Sequence, residues 1–345
     1  MRHYINIILI LAIAFSFVAT IDAQERAYPK NGEGITLFLK RFNRSGEAYK
    51  KEFIRLNRDK LGKNNTLRLG VKYTIPPLRN SKSTAGNAKT ESVAVKGGKG
   101  IEPLFGKALA NYTISSQDLK GACFYVVSGH GGPDPGAIGR MGNHELHEDE
   151  YAYDIALRLA RNLLSRGAKV HIIIQDAKDG IRNQPFLNNS KRETCMGSKI
   201  PLGQVARLEQ RTNKINSLSQ KDKERYKRAI FIHVDSRSRH QRTDVYFYHK
   251  VKDQASKRLA KTMKSTFQKK YRHHQPGRGF SGTVDDRNLY VLRHTKPVSV
   301  FVELGNIQNS HDQQRITLSN NRQALANWLC EGFTTDYMNY KKNNN

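Results

Sequence analysis

Between residues 122 and 333 the chain alternates short apolar runs with longer segments of helical periodicity. The apolar runs have the length and the β-branched or aromatic content of buried strands. The longer segments place apolar residues three or four positions apart, as amphipathic helices do. Strands that alternate with helices build a mostly parallel sheet with helices on both faces. The pattern therefore predicts an α/β fold for this part of the chain.

Nine elements account for this alternation. The predicted strands cover residues 122–127, 170–174, 229–234, 244–249 and 298–304. The predicted helices cover residues 149–166, 204–218, 255–267 and 324–333.

Composition divides the whole chain into four segments. A short basic start, an apolar run and a small residue before a polar one predict a signal peptide over residues 1–23. The apolar run is shorter than the roughly 20 residues of a membrane-spanning helix, so we expect export without a stable membrane anchor. The remaining segments are a compact module over residues 29–77, a flexible linker poor in large apolar groups over residues 78–102, and the α/β domain over residues 103–340.

The chain is strongly basic, with a formal net charge of +29. A charge of this sign favours polyanionic partners, and nucleic acid is the usual first candidate. An exported protein meets the cell wall before it meets nucleic acid, and the stem peptides of peptidoglycan carry carboxylates. We therefore expect peptidoglycan, and not nucleic acid, as the partner.

Four side chains lie where open α/β sheets place their binding sites, beyond the carboxyl ends of the strands. His130 follows the first strand, His233 and Glu303 end two later strands, and Glu148 opens the first long helix. Two imidazoles and a carboxylate form a three-ligand zinc site with one open position, and a further carboxylate suits a general base. Each residue alone also fits a structural role. Glu303 stands out, because a carboxylate in an apolar strand is costly unless it is paired or functional.

The motifs around these residues resemble those of the zinc-dependent N-acetylmuramoyl-L-alanine amidases. The string SGHGGPDPGAIG around His130 is similar to the signature loop of that family, and EDEYAYDIALRL opens a helix with Glu148. FIHVDS contains His233 near the end of its strand, and VFVELGNIQN contains Glu303. The resemblance spans about residues 121–333 and implies that His130, Glu148 and His233 bind Zn²⁺, while Glu303 is catalytic.

The same resemblance implies a function and a location. It implies hydrolysis of the amide bond between N-acetylmuramic acid and L-alanine of the stem peptide, in the periplasm or cell wall of a bacterium. It also implies that an activator protein is a candidate partner. A zinc peptidase that cuts within the stem peptide, and a non-catalytic wall-binding protein, remain alternatives. The products of peptidoglycan digestion and the zinc content of the protein distinguish these functions.

Three features complicate the site. Val127 stands where the family has an aspartate, two residues before the Gly-His pair, so a partner that would orient the imidazole is missing there. His144 and His147 are close to Glu148 in sequence and compete with it as ligands. Residues 177–203 form a long polar insertion in which Glu193 is a candidate for covering the metal site.

Residues 29–77 resemble a lysin motif, a small module that binds peptidoglycan. The resemblance implies an N-terminal α+β domain that holds the glycan. Gly34 and Thr36 depart from the threonine and aromatic residue usual in that family. The matching positions are Gly32, Glu33, Phe38, Phe42, Leu56, Asn57, Leu67, Gly70, Ile75 and Pro76.

Overall fold

A computed structural model describes residues 25–29, 33–42, 44, 46–62, 65–77 and 98–344 of the protein. The chain divides into two compact units, Met1–Glu91 and Ser92–Asn345. The predicted signal peptide and most of the predicted linker lie outside the described residues. In the described segments, none of the helices combines the length and the apolar character that crossing a membrane requires.

The N-terminal unit is a small β-α-α-β arrangement around an apolar core of its own. Its elements are β1 (Arg26–Ala27), α1 (Ile35–Arg41), α2 (Glu47–Leu56) and β2 (Tyr73–Thr74). The two strands pair antiparallel, and the fully buried rings of Phe38, Phe53 and Tyr73 pack together between the helices and β2. Asn57 ties the end of α2 to β2, because its side chain accepts from Thr74 N at 2.7 Å and donates to Thr74 O at 2.8 Å. The identity of this unit as a lysin motif stays a prediction.

The C-terminal unit alternates strands and helices along its length. Before the long insertion its elements are β3 (Lys99–Ile101), β4 (Asn111–Thr113), β5 (Ala122–Ser128), β6 (Ile138–Met141), β7 (His144–His147), α3 (Glu148–Leu164), β8 (Lys169–Ile172) and β9 (Ile174–Gln175). From the insertion onward they are β10 (Thr194–Cys195), β11 (Ser198–Lys199), α4 (Gln204–Lys221), β12 (Tyr226–Asp235), β13 (Tyr246–His249), α5 (Gln254–His274), β14 (Thr283–Asp286), α6 (Tyr290–His294), β15 (Val298–Asn306), α7 (Ser310–Thr317) and α8 (Ser319–Asn344).

A six-stranded sheet with the order β14-β13-β15-β12-β5-β8 forms the centre of this unit. β13 runs antiparallel to β15, and the other neighbouring strands are parallel. Helices α3, α5 and α8 cover one face, where Ile155, Leu259 and Leu329 are buried in one core. Helices α4 and α6 cover the other face, where Ile215 and Leu292 are buried in a second core. The predicted α/β fold, mostly parallel with helices on both faces, is confirmed.

A strand is present within the last residues of the predicted linker. Composition assigned residues 78–102 to a flexible linker, but Lys99–Ile101 form β3 and pair antiparallel with β4. Tyr112 on β4 covers Gly100 so closely that a Cβ there would lie 2.2 Å from the tyrosine Cζ. The strand was missed because its order comes from pairing with β4, and not from large apolar side chains of its own.

The polar insertion over residues 177–203 is packed against the domain. Its strands β10 and β11 extend β9 into a three-stranded sheet. Arg322 on α8 is fully buried, lies 2.6 Å from Asp154 Oδ2 on α3, and donates to the carbonyls of Arg182 and Gln184 at 2.8 and 3.0 Å. Backbone pairing and a buried ion pair therefore hold a segment whose own composition is loop-like.

Candidate metal centre and catalytic site

The glycine-rich loop after β5 places His130 at the carboxyl edge of the sheet. His130 has a φ of 59°, a left-handed conformation that is uncommon for residues other than glycine. The conformation is held by a hydrogen bond from Gly131 N to Asp134 O at 2.8 Å and by Arg211, which donates to the carbonyl of His130. Asp134 Oδ2 lies 2.9 Å from His130 Nδ1. The aspartate therefore orients the ring and leaves Nε2 to face Glu148.

Glu148, the first residue of α3, connects three segments of the chain through its carboxylate. Oε2 accepts from Ala137 N at 2.8 Å and lies 3.2 Å from His130 Nε2. Oε1 accepts from Val234 N at 3.0 Å and lies 2.9 Å from His233 Nδ1. The structure thus brings His130, Glu148 and His233 together, with one potential ligand atom from each lying within 4.8 Å of the other two.

Glu303 is placed beside this group by strand register, because β12 and β15 pair His233 with Glu303. Its Oε2 is buried and has no hydrogen-bond partner among the described residues. Burial, together with the nearby carboxylates of Glu148 and Asp235, raises the pKa of Glu303 well above its usual range. Burying a carboxylate oxygen without a hydrogen-bond partner raises the free energy of the folded state, which favours a functional role for Glu303 over a structural one.

Two glycines permit the close approach of the candidate ligand side chains. A Cβ at Gly129 would lie 2.3 Å from His233 Cε1, and a Cβ at Gly136 would lie 2.7 Å from Glu148 Oε2. The His233 ring has no room to yield, since it stacks on Phe301 with 4.3 Å between the ring centroids. The signature loop therefore needs glycine at these positions for steric reasons.

The charges around the group favour a cation. Burial by itself lowers the pKa of His130, but Glu148 and Asp134 outweigh it and raise that pKa to about 10. Burial raises the pKa of Glu148, but the two imidazoles outweigh it and hold that pKa well below its usual range. Burial lowers the pKa of His233. The carboxylates of Glu148 and Asp134 thus create a negative potential around the His130 imidazole.

The two competing histidines lie elsewhere. His144 stacks on Phe186 with 3.8 Å between the ring centroids, and His147 Nε2 lies 3.5 Å from Glu145 Oε2. Neither histidine belongs to a group of potential metal ligands among the described residues. Glu148 is therefore the better ligand candidate, as the sequence motif indicates.

Glu193 of the insertion does not join the group around His130. Its carboxylate accepts from Gly132 N at 2.8 Å and clusters with Asp149 and Glu150. It accepts a hydrogen bond from the backbone of the glycine-rich loop and is grouped with two other carboxylates, so the structure does not place it over the candidate metal ligands. Sequence spacing gave no signal for this contact, which joins residues 61 positions apart.

A third group of potential ligands consists of Cys123, His171 and Asp222. The Asp222 carboxylate already accepts from Tyr125 Oη at 2.6 Å and lies 2.6 Å from Lys169 Nζ. A cation at this carboxylate would have to displace the ammonium group. The group of two imidazoles and one carboxylate is the donor set that suits zinc with an open position. All three cysteines of the chain are buried and free.

Comparison with known proteins agrees with the motifs. The family described as N-acetylmuramoyl-L-alanine amidase matches residues 125–335. The uncharacterized protein YqiI of Bacillus subtilis (strain 168) is 24% identical over 230 residues, which cover 66% of this chain and 91% of YqiI.

Solved amidases are similar to a little under two thirds of the chain. AmiC2 of Nostoc punctiforme is 18% identical with a TM-score of 0.45, over 64% of this chain and 99% of AmiC2. CwlD of Clostridioides difficile, solved in complex with the GerS lipoprotein, is 17% identical with a TM-score of 0.47, over 63% of this chain and 98% of CwlD. Because the family match covers more than half of the chain, the protein belongs to the N-acetylmuramoyl-L-alanine amidases, which act on peptidoglycan.

Proposed function

We propose that the protein is a zinc-dependent amidase in which His130, Glu148 and His233 hold the metal and Glu303 acts as the general base. The observation that supports this most is the convergence of these ligand atoms within 4.8 Å, next to a buried and unpartnered carboxylate oxygen. The donor set fits zinc, and its ligands are already oriented by contacts to Asp134, Ala137 N and Val234 N. A zinc ion held there would supply Lewis-acid activation of the scissile carbonyl and of water.

Each neighbouring residue has a defined part in this proposal. Glu303 takes the proton from the attacking water and passes it to the nitrogen of the leaving L-alanine. Burial raises the pKa of Glu303, which favours retention of the proton until the leaving nitrogen accepts it. Asp134 keeps the His130 ring in the orientation that presents Nε2. Gly129 and Gly136 keep the space above the ligands free of side chains.

We further propose that the protein is exported and works on the bacterial cell wall. The apolar N-terminal segment, the basic charge and the family's substrate support this location. On this proposal the N-terminal unit binds glycan strands as a lysin motif does. An activating protein partner stays a prediction.

Digestion of purified sacculi, followed by mass spectrometry, tests the function. The zinc-loaded protein should release stem peptides with a free N-terminal L-alanine and leave glycan strands without peptides. A chelator should stop the release, and added zinc should restore it. Shortened stems that are still attached to N-acetylmuramic acid would instead identify a stem peptidase. Binding to sacculi without zinc and without products would identify a wall-binding protein.

A further inference from the structure

A cleft opens from the metal-ligand group along the face of the sheet, between α4 and α6. His130 and His233 line it, together with the strand residues Phe231 and Phe301. One wall is a single face of α4, with residues at helical spacing: Gln204, Arg207, Leu208 and Arg211. The opposite wall is apolar and consists of Leu289, Tyr290 and Val291. The cleft is thus polar on one side and apolar on the other.

The polar wall carries two guanidinium groups. Arg211 is only 3% exposed, and its Nε is buried without a hydrogen-bond partner among the described residues. Its Nη2 donates to the His130 carbonyl, which anchors the side chain beside the metal ligands. An unmatched N–H donor of a buried cation is costly, and a ligand that accepts from it removes that cost.

Arg207 adds a second positive charge one turn earlier on α4. Its Nη2 lies 2.8 Å from Asp134 Oδ2, and Asp134 is the acidic residue among those that line the cleft. Along the α4 wall, two guanidinium groups stand against the one carboxylate of Asp134, so this wall carries an excess of positive charge. The excess lies on the wall next to the metal ligands.

The beginning of α4 strengthens the same preference. The N-cap residue is Gly203, no side chain caps the helix, and its first turn contains no acidic residue. The first N–H groups of this 18-residue helix therefore have no acceptor from a capping side chain. A helix start of this kind favours an anion. The guanidinium groups and the helix start together select an anionic ligand with some apolar surface.

We propose that this cleft holds the leaving stem peptide and recognises the free α-carboxylate of its second residue. This inference rests on the proposed amidase function. In peptidoglycan the residue after L-alanine is joined through its side-chain carboxyl group, so its α-carboxylate is free unless it is amidated. The arginine wall accepts the carboxylate, and the apolar wall contacts the alkyl part of the peptide. The enzyme therefore prefers stems with a free carboxylate over stems with a carboxamide at this position.

Binding of two cleavage products tests the inference without relying on turnover. The probes are the dipeptide L-alanyl-γ-D-glutamate and its α-carboxamide, titrated calorimetrically into the full-length, zinc-loaded protein. The wild-type protein should bind the carboxylate roughly 10-fold or more tightly, because a charge-assisted hydrogen bond is lost in the amide. Arg207→Gln and Arg211→Gln should each bring the affinity ratio close to one. Arg140→Gln, which removes an equal charge from an exposed side chain outside the cleft, should keep the wild-type ratio.

The ratio of the two affinities separates recognition from general damage, since a weakened metal site affects both probes alike. Equal affinities of the wild-type protein for the two dipeptides would overturn the inference, as would an unchanged ratio in both cleft variants. If the protein were not an amidase, digested sacculi would release neither the stems with a free α-carboxylate nor those with a carboxamide. If only the carboxylate preference were wrong, both kinds of stem would be released equally well.

Discussion

Asp134 Oδ2 lies 2.9 Å from His130 Nδ1 and 2.8 Å from Arg207 Nη2. The sequence offers no carboxylate at Val127 to orient the imidazole, and Asp134 makes such a contact from the loop after the histidine. It meets the imidazole nitrogen that faces away from Glu148, so Asp134 orients the His130 ring.

Replacing that carboxylate should weaken metal binding. Asp134→Asn removes the charged acceptor at His130 Nδ1, so we expect zinc affinity to fall by roughly 10- to 100-fold. Competition with a chelating dye measures the affinity. Asp118→Asn is the matched control, because its carboxylate pairs with Arg166 at 3.1 Å at a partly exposed surface position. Equal zinc affinities of the two variants would refute the orienting role.

Glu303 should be needed for turnover but not for the metal. Glu303→Gln keeps the shape of the side chain and removes its basicity, so the rate on muropeptides should fall by about 100-fold or more. Zinc content should stay at the wild-type level. The control is Glu145→Gln, since half of the Glu145 side chain is exposed. Near-wild-type turnover of Glu303→Gln would remove the residue from the mechanism.

Gly129→Ala should damage the site through steric conflict alone. The new Cβ would lie 2.3 Å from His233 Cε1, and the stacking of His233 on Phe301 prevents the ring from moving away. We expect at least about a 10-fold loss of zinc affinity, comparable to the loss of an orienting contact. Gly34→Ala should bind zinc like the wild type, because a Cβ added at Gly34 would meet no other group within 4 Å. A fully zinc-competent Gly129→Ala protein would contradict the close approach.

Asp222 should make folding stability depend on pH. Burial raises the pKa of Asp222, but Lys169, Tyr125 and His171 outweigh it and lower that pKa to about 2. A carboxyl group with a lowered pKa in the folded state stabilises the fold above its ordinary pKa, and this stability is lost as pH falls from about 4 toward 2.

Urea unfolding of wild type and Asp222→Asn at several pH values tests this assignment. The difference in unfolding free energy between the two proteins should be largest at neutral pH and should shrink on the way to pH 2. A difference that stays constant over the acidic range would show that the contacts of Asp222 do not depend on its charge.

Local hydrophobic patterns in the sequence predicted much of the fold. The strand predicted over residues 122–127 is observed as Ala122–Ser128, and the helix predicted over residues 204–218 is observed as Gln204–Lys221. The hairpin of β6 and β7 and the short helices α6 and α7 were not predicted. They are too short for a periodic signal, and they are defined by their packing against the rest of the domain.

By itself the sequence predicted the α/β class, from hydrophobic period and strand ends. The residue pattern, together with the family resemblance, indicated four chemistry-bearing positions at His130, Glu148, His233 and Glu303, and their roles stay a proposal. Only the tertiary structure decided that Asp134 orients His130, that register sets Glu303 beside His233, and that Arg211 reaches the His130 carbonyl from 81 residues away. Such contacts depend on how distant segments pack together, and no local pattern in either segment encodes their distance.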